Sequence, residues 1–384
     1  MVAFRLSNPT EILFGAGQTA EIAKLVAPGT KVLLLYGGGS IKRNGAYDQA
    51  IAALKHSTVV EFGGIEPNPV YETILKAADL ARAENVDLIL AVGGGSVADA
   101  AKFLAAIVPI REGDPWDVLV AGGATPDPLP VGVVLTLPAT GSESNPVSVI
   151  SHKGKGLKLP FANEKARPRF AVLDPSFMAS LDRRQLENGA VDAFTHVIEQ
   201  YLTLPANAPV QFGFSEALLE VLIEWGPRLA EKNDEEAREN VMWAANQALN
   251  GLIGAGVPQD WSTHMIGHAI TALTGLDHAR TLTLVMPAVM RYKAAGKRDM
   301  LVRYARRVWK IEEPDPAKAA EEAIARTEDF FRRMGCPVRF SEIASIEVAP
   351  EAVVEHLETA GQTALGENGD IRPDDVRAIL KLAA

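Results

Sequence analysis

The sequence has little of three things, and each shortage excludes a class of protein. It contains a single cysteine, Cys336, so an internal disulfide is excluded. Its apolar runs are all shorter than the roughly 18 residues that span a bilayer, so we expect no membrane segment. Basic residues are outnumbered, since 38 Lys and Arg against 48 Asp and Glu give a net charge of −10. This acidic balance argues against nucleic acid and anionic membranes as partners.

The first residues also lack the features of a secretory signal. No basic start leads into an apolar stretch and a small-residue cleavage site after Met1. We therefore expect a cytoplasmic protein. A composition of 47% hydrophobic and 22% charged residues is typical of a globular protein, and a length of 384 residues indicates two domains or one large one.

Alternating strand and helix patterns fill the first part of the chain. Apolar runs that end in glycine or polar turns predict buried strands at Lys31–Tyr36, Asp87–Val92 and Val131–Thr136. Helical patterns alternate with them, which predicts a parallel sheet covered on both faces. Two short runs, Val147–Ile150 and Phe170–Leu173, predict a sheet extension across a Lys- and Gly-rich hairpin.

After Asp174 and Pro175 the pattern changes to helical periodicity with almost no strand signal. We therefore predict an α/β domain with a parallel sheet over residues 1–180. An all-α domain is predicted over residues 181–384. Its predicted helices include Arg183–Leu202, Asp234–Ile253, Ser262–Thr274 and Leu282–Ala295.

Three of the seven histidines lie close together in the helical part. His264 and His268 are four positions apart, so they share one face of a helix. Gly275 fits the end of that helix, with His278 on the loop beyond it. Such a pattern of imidazoles is typical of a divalent metal site. The alternative is a set of unrelated core and surface histidines.

An upstream segment offers a second pair of candidate ligands. Asp192 and His196 are also four positions apart, on a predicted helix that is largely apolar. A carboxylate there is costly, and a cation is one way to offset that cost. The alternative is a carboxylate favoured by the helix dipole beside an incidental histidine. Carboxylate and imidazole ligands suit both zinc and iron, so they do not identify the metal.

A glycine-rich turn follows the strand Asp87–Val92 and opens a helix. It consists of Gly93, Gly94, Gly95 and Ser96. Glycines let the backbone approach a pyrophosphate, and the N–H groups and dipole of the helix start favour its charge. The alternative is a tight turn that binds nothing.

A second glycine loop follows the strand Lys31–Tyr36. It consists of Gly37, Gly38, Gly39 and Ser40. An NAD site usually has an acidic residue near a strand end, which binds the ribose 2′-hydroxyl. Here no carboxylate repels a 2′-phosphate, and Lys42 and Arg43 follow as nearby cations. The loop therefore predicts a preference for NADP(H).

A polar turn follows the strand Val131–Thr136. The hydroxyl groups of Thr136, Thr140 and Ser142 are predicted to line the phosphate or nicotinamide end of the cofactor. The alternative is an ordinary loop.

Together these motifs resemble the iron-containing (group III) alcohol dehydrogenase family. The resemblance covers essentially the whole chain, and within the family it is greatest for the bacterial NADPH-dependent butanol dehydrogenases and broad-range aldehyde reductases. It is carried by the ordered set Gly93-Gly-Gly-Ser96-x-x-Asp99-x-x-Lys102, Thr140-Gly-Ser-Glu143, Asp192-Ala-x-x-His196-x-x-Glu199, and His264-x-x-x-His268 followed by His278.

The resemblance implies a dehydroquinate synthase-like fold, in which the α/β domain (residues 1–180) is the dinucleotide-binding domain and the all-α domain (residues 181–384) binds metal and substrate. It also implies a role for each candidate residue. His268 is expected beside substrate and nicotinamide, off the metal, and it acts in catalysis together with Asp99. Asp99 is also expected to contact the cofactor, and Lys158 to approach the adenosine ribose phosphate. A homodimer is implied by the same analogy. Four metal ligands are implied: Asp192, His196, His264 and His278.

The implied reaction transfers a hydride between NADP(H) and a short-chain aldehyde or alcohol. The stretch Asn246–Asp277 contains no Lys or Arg, which favours an uncharged substrate. The alternative enzyme is a metal- and NAD-dependent lyase like dehydroquinate synthase, whose chemistry needs several cations to hold a phosphate and a carboxylate. A non-catalytic NADP-binding protein is a third hypothesis, and it leaves the metal ligands without a purpose.

Overall fold

The structure, a computed structural model, describes residues 1–122, 125–344 and 348–384. Contacts divide it into two compact units. We call them the sheet unit (Ser7–Asp182 and Asn233–Asn246) and the helical unit (Met1–Leu6, Arg183–Lys232 and Gln247–Ala384). The division into functional domains after residue 180 stays a prediction. The contact-based units differ from it chiefly by exchanging two short segments.

The strands confirm the predicted parallel sheet. They are β1 (Glu11–Phe14), β2 (Lys31–Tyr36), β3 (Thr58–Phe62), β4 (Leu88–Gly94), β5 (Val131–Leu137), β6 (Val147–His152), β7 (Leu157–Ala162) and β8 (Phe170–Leu173). Six of them form one sheet in the order β1-β8-β5-β4-β2-β3, and every pair in it is parallel. The strands β2, β4 and β5 are buried almost throughout, as expected for strands covered on both faces.

The predicted sheet extension is wrong in its arrangement. β6 pairs antiparallel with β7 in a separate two-stranded sheet. β8 instead lies inside the main sheet, between β1 and β5. The apolar pattern missed β7 because Pro160 interrupts it. It missed β1 because that edge strand is short and partly exposed.

As predicted, helices alternate with the strands in the first part of the chain, and helices alone build the helical unit. They are α1 (Ile22–Leu25), α2 (Ala46–Ala53), α3 (Tyr71–Glu84), α4 (Gly95–Ile107), α5 (Asp117–Val120), α6 (Arg183–Tyr201), α7 (Pro209–Lys232), α8 (Glu235–Ala248), α9 (Ser262–Thr274), α10 (His278–Tyr292), α11 (Arg298–Arg307), α12 (Pro316–Arg333), α13 (Pro350–Thr359) and α14 (Pro373–Leu382). In the part of the chain that the structure describes, none of them has the length and apolarity to cross a membrane.

Two predicted helix boundaries are wrong, and one concerns a candidate ligand. His278 does not lie on a loop, because it is the first residue of α10. Gly275 does end α9, in the left-handed conformation with φ of 71°, but only Leu276 and Asp277 separate it from the next helix. The second difference is α8, which ends at Ala248.

The segment Asn233–Asn246 is held to the sheet unit by specific contacts. The Asn246 amide donates to Glu143 Oε1 at 2.7 Å and to Ser144 Oγ at 2.9 Å, and all three residues are buried. Trp243 packs edge-to-face on Phe14 with ring centroids 5.6 Å apart. Burial raises the pKa of the Glu143 carboxyl, which the Asn246 hydrogen bond opposes. The C-terminal half of α8 therefore completes the unit that carries the sheet.

Candidate metal centre and cofactor site

Asp192 Oδ1 is surrounded by three imidazoles in the helical unit. The Nε2 atoms of His196, His264 and His278 lie 3.7, 3.6 and 3.8 Å from it. In a tetrahedral site with bonds of about 2.1 Å, neighbouring ligand atoms are about 3.4 Å apart. The three distances to Asp192 Oδ1 are close to this value, as expected for side chains that share one divalent ion.

Three helices supply these side chains. Asp192 and His196 lie one turn apart on α6, His264 lies on α9, and His278 begins α10. Candidate ligand atoms of Asp192, His196 and His264 all lie within 4.8 Å of one another, and all three residues are buried. Among the described residues that close set does not include His278, which the structure joins to the cluster through Asp192.

The electrostatics of the cluster fit a cation. Asp192 Oδ1 and His264 Nε2 are buried, and neither forms a hydrogen bond with any described residue. Such atoms are costly to bury unless another partner satisfies them, and a divalent ion between them does so. Burial raises the pKa of the Asp192 carboxyl, but the surrounding imidazoles outweigh it and hold that pKa below its usual range. This lowering favours the ionised carboxylate, which is the form that binds a metal.

His268 lies one turn beyond His264 on α9. Its ring centroid is 6.0 Å from that of His264 and 4.7 Å from that of His278. Within the described residues, His268 is outside the set of mutually close ligand atoms. The structure thus places it beside the cluster, and its role in catalysis stays a prediction.

Glu199 is a site residue that the sequence reasoning did not single out beyond the family motif. Its Oε2 is hydrogen-bonded to His264 Nδ1, and its Oε1 accepts the Thr263 N–H at 2.6 Å. Burial raises the pKa of Glu199, while His264 opposes that rise. Glu199 follows Asp192 by seven positions and His196 by three, so the three share a face of α6. That spacing is the signal that could have found it.

In the sheet unit, the predicted phosphate turn joins β4 to α4. The N-cap of α4 is Gly94, which has no side chain to accept hydrogen bonds from the first turn. The N–H groups at this helix start are therefore suited to an anion. A Cβ on Gly95 would lie 2.3 Å from Thr140 Oγ1, so the structure brings two predicted cofactor residues together only because one is glycine.

The second glycine loop follows β2. A Cβ on Gly38 would meet no described atom within 4 Å, so the backbone there borders space that a ligand can occupy. Ser40 begins a short 3₁₀ turn after Gly39. Lys42, one of the nearby cations of the sequence prediction, has its Nζ 3.4 Å from Glu61 Oε2 and over the Tyr36 ring.

Lys158, on β7, reaches the phosphate turn through one intermediate residue. Its Nζ donates to Asn68 Oδ1 at 2.8 Å, and the Asn68 N–H donates to Ser96 Oγ at 3.3 Å. Asn68 makes both contacts from a left-handed backbone conformation with φ of 58°. The structure therefore brings a buried lysine close to the start of α4, where the sequence places the cofactor phosphates.

Asp99 and Ser142 lie in a buried polar network behind the phosphate turn. Asp99 Oδ1 accepts the Ser142 hydroxyl, Asp99 Oδ2 accepts the Val149 N–H at 2.9 Å, and Lys102 Nζ lies 3.9 Å away. Burial raises the pKa of Asp99 and lowers the pKa of Lys102 to about 8. Thr136 is buried near the end of β5. The predicted cofactor and catalytic roles of these residues stay predictions.

These two sites define the class of protein. The sheet unit has a glycine-rich, uncapped helix start at the end of a parallel strand, and the helical unit has a buried Asp/His cluster of metal-site dimensions. This combination is that of a metal-dependent enzyme that uses a dinucleotide.

Comparison with known proteins identifies the family. The family model for iron-containing alcohol dehydrogenase matches residues 9–175, and the model for the C-terminal part of the Fe-containing alcohol dehydrogenase family matches residues 187–383. NADPH-dependent aldehyde reductase YqhD of Escherichia coli K12 is 50% identical over 383 residues, 99% of each chain. NADH-dependent butanol dehydrogenase A of Clostridium acetobutylicum is 36% identical over 388 residues, 100% of this chain and 99% of the other.

Solved structures agree with this assignment. The crystal structure of Escherichia coli YqhD has a TM-score of 0.98 and 48% identity, covering 100% of this chain and 99% of that one. NADH-dependent butanol dehydrogenase A of Thermotoga maritima has a TM-score of 0.95 and 34% identity, with the same coverage. The chain belongs to the iron-containing alcohol dehydrogenase family. The predictions of this family, its fold and an alcohol dehydrogenase are confirmed, and the dehydrogenase is favoured over the lyase.

Proposed function

We propose that the chain is an NADPH-dependent aldehyde reductase that interconverts short-chain aldehydes and alcohols. The observation that carries this proposal is the buried cluster around Asp192, because a divalent ion held by carboxylate and imidazole ligands, with a coordination position open to substrate, supplies Lewis-acid chemistry on a carbonyl. The Escherichia coli relative is an NADPH-dependent aldehyde reductase, which supports both the nucleotide and the substrate class.

The proposal assigns one divalent ion, zinc or iron, to the helical unit. A bound metal supplies Lewis-acid polarisation of the carbonyl, and a reduced nicotinamide supplies the hydride. The chain contributes fixed ligands from three helices and, in His268, an imidazole that can transfer a proton to the substrate oxygen. The proposed ligands are Asp192, His196, His264 and His278.

The proposal assigns the cofactor to the sheet unit. The pyrophosphate binds at the start of α4, and Lys158 faces the adenosine 2′-phosphate near Asn68. The second glycine loop contacts the adenosine end of the cofactor, and the polar turn after β5 contacts its nicotinamide end. The residues proposed to contact NADP(H) are Gly37, Gly38, Ser40, Gly93, Gly94, Gly95, Ser96, Asp99, Thr136, Thr140, Ser142 and Lys158.

The nucleotide and the reaction class are tested together. Metal-reconstituted protein is assayed with butanal and either NADPH or NADH. We expect kcat/KM for NADPH to exceed that for NADH by at least about tenfold, the worth of one charge-assisted contact. Equal values, or a preference for NADH, contradict the assignment of the nucleotide. A lyase returns its cofactor unchanged, so consumption of one NADPH per aldehyde separates the two enzyme classes.

We also propose that the enzyme works in the cytoplasm as a homodimer. The homodimer is supported by a group of exposed apolar side chains in the helical unit: Met1, Val2, Phe4, Leu6, Val210 and Phe214. Met1 Sδ lies 3.5 Å from Gln211 Nε2, which joins the first residues to the start of α7. A monomer seldom exposes such a group of large apolar side chains, so a second copy of the chain is the proposed occupant.

A further inference from the structure

We propose that Glu199 is the positioning residue of the metal centre, and that it fixes both the tautomer and the orientation of the His264 ring. The inference rests on the proposed function in one respect, which is that His264 is a metal ligand. It concerns how the protein prepares that ligand.

The two nitrogens of His264 have different surroundings. Nδ1 is hydrogen-bonded to Glu199 Oε2. Nε2 forms no hydrogen bond with any described residue and lies 3.6 Å from Asp192 Oδ1. In a neutral imidazole one nitrogen donates and the other accepts. Because a carboxylate only accepts, the hydrogen of a neutral ring is on Nδ1, and the lone pair of Nε2 faces the proposed metal position.

Glu199 is itself held on its second oxygen. Its Oε1 accepts the N–H of Thr263, in the first turn of α9, at 2.6 Å. The N-cap of α9 is Trp261, whose indole has no acceptor for this turn. Glu199 therefore caps α9 from α6, where the positive end of the helix dipole favours its charge.

The main chain of Glu199 adds a further link. Its carbonyl oxygen accepts the Asp260 N–H at 2.9 Å, and Asp260 is paired with Lys297. One buried residue thus ties the start of α9, which carries His264, to α6, which carries Asp192 and His196. Outer partners of this kind hold metal-binding histidines in place and strengthen them as ligands.

The substitution Glu199→Gln separates this role from simple packing. The glutamine side chain has nearly the same size as the glutamate but only one acceptor oxygen. If that oxygen faces the Thr263 N–H, the amide NH₂ faces His264 Nδ1 and forces the ring hydrogen onto Nε2, where it blocks a metal. If the amide is turned, two donors face each other at Thr263 and one stays buried without a partner.

The experiment measures metal binding directly. Metal-free wild type and Glu199→Gln are titrated with zinc in competition with a chromogenic chelator. We expect the Kd for zinc to rise by about 10- to 100-fold in the variant. The visible spectrum of the cobalt-substituted variant should also change, because the His264 ring is turned or protonated differently.

Glu328→Gln is the matched control. Glu328 is a buried carboxylate of the same unit that pairs with Arg291 and Arg339, and it lies outside the metal cluster. This control is expected to lower the unfolding temperature while leaving the zinc Kd and the cobalt spectrum at wild-type values.

Glu199→Asp covers the case in which the glutamine variant does not fold. It keeps the carboxylate but is shorter by one methylene, so we expect an intermediate zinc affinity. Wild-type affinity and an unchanged cobalt spectrum in a folded Glu199 variant overturn the inference while the proposed function stands. A wild-type protein that binds neither zinc, iron nor cobalt overturns the proposed function and the inference with it.

Discussion

His268 and His278 are neighbouring imidazoles for which we propose different roles, His278 as a metal ligand and His268 as a proton donor. Replacing His278 by alanine removes a proposed ligand, so the variant should bind metal more weakly. Replacing His268 by alanine should leave about one metal ion per chain and lower kcat by about 10²- to 10⁴-fold, the usual contribution of a positioned proton donor. Metal content after dialysis and kcat with butanal measure the two effects. Loss of metal in the His268 variant would show that it is a ligand.

Lys158 is the residue that should decide the nucleotide preference. In Lys158→Ala we expect KM for NADPH to rise about tenfold or more, because a buried charge-assisted contact to a phosphate is lost. The KM for NADH should change little. Lys153→Ala is the control, since Lys153 is an exposed lysine on the same hairpin. An equal loss with both nucleotides would place Lys158 elsewhere on the cofactor or in the fold.

At the scale of the element, the glycines of the two loops serve different purposes. A Cβ on Gly95 would collide with Thr140, whereas one on Gly38 would meet open space. Gly95→Ala should therefore lower the unfolding temperature by several degrees, in line with about 1–3 kcal/mol for an overpacked site. Gly38→Ala should unfold like wild type but bind NADPH more weakly. Thermal unfolding and a fluorescence titration with NADPH test both. A stable Gly95→Ala variant contradicts this packing argument.

The elements also show what a sequence can predict. The strands β2 and β4 were predictable because a buried parallel strand is a continuous apolar run, and α9 because its histidines and Gly275 mark its face and its end. The start of α10 was not predictable, since the connection between α9 and α10 has only three residues and does not show where the loop ends. The spacing of Glu199 from Asp192 and His196 places it on their face of α6, but its role was not predictable, for a different reason. Its partner His264 is 65 positions away, and only the fold brings the two together.

At the scale of the whole molecule, metal should contribute to stability. An ion that binds the folded chain and not the unfolded one stabilises it by about 4 kcal/mol when present at a thousand times its Kd. Treatment with a chelator should therefore lower the unfolding temperature, and zinc should restore it. Magnesium is the control, because it prefers oxygen ligands in an octahedral site. Unfolding that does not respond to zinc contradicts a metal centre in the helical unit.

The homodimer predicts a mass of twice the 41.1 kDa chain in sedimentation. A double variant, Val210→Asp with Phe214→Asp, places charges on the proposed apolar surface and should sediment as a monomer. Leu382→Asp is the control, because Leu382 is also an exposed apolar residue but lies on α14. A wild-type monomer, or a dimer that survives the double substitution, contradicts the proposed surface.

The placement of Asn233–Asn246 has a consequence for the order of events during synthesis. The sheet unit lacks the Asn246 amide until after α6 and α7 of the helical unit have been made. In the helical unit, His264 and His278 are translated only with α9 and α10, which follow Asn246 in the chain. Neither unit can therefore complete its folding on the ribosome before translation of the other unit has begun. The metal centre is therefore assembled late, after every residue of the sheet unit has already been translated.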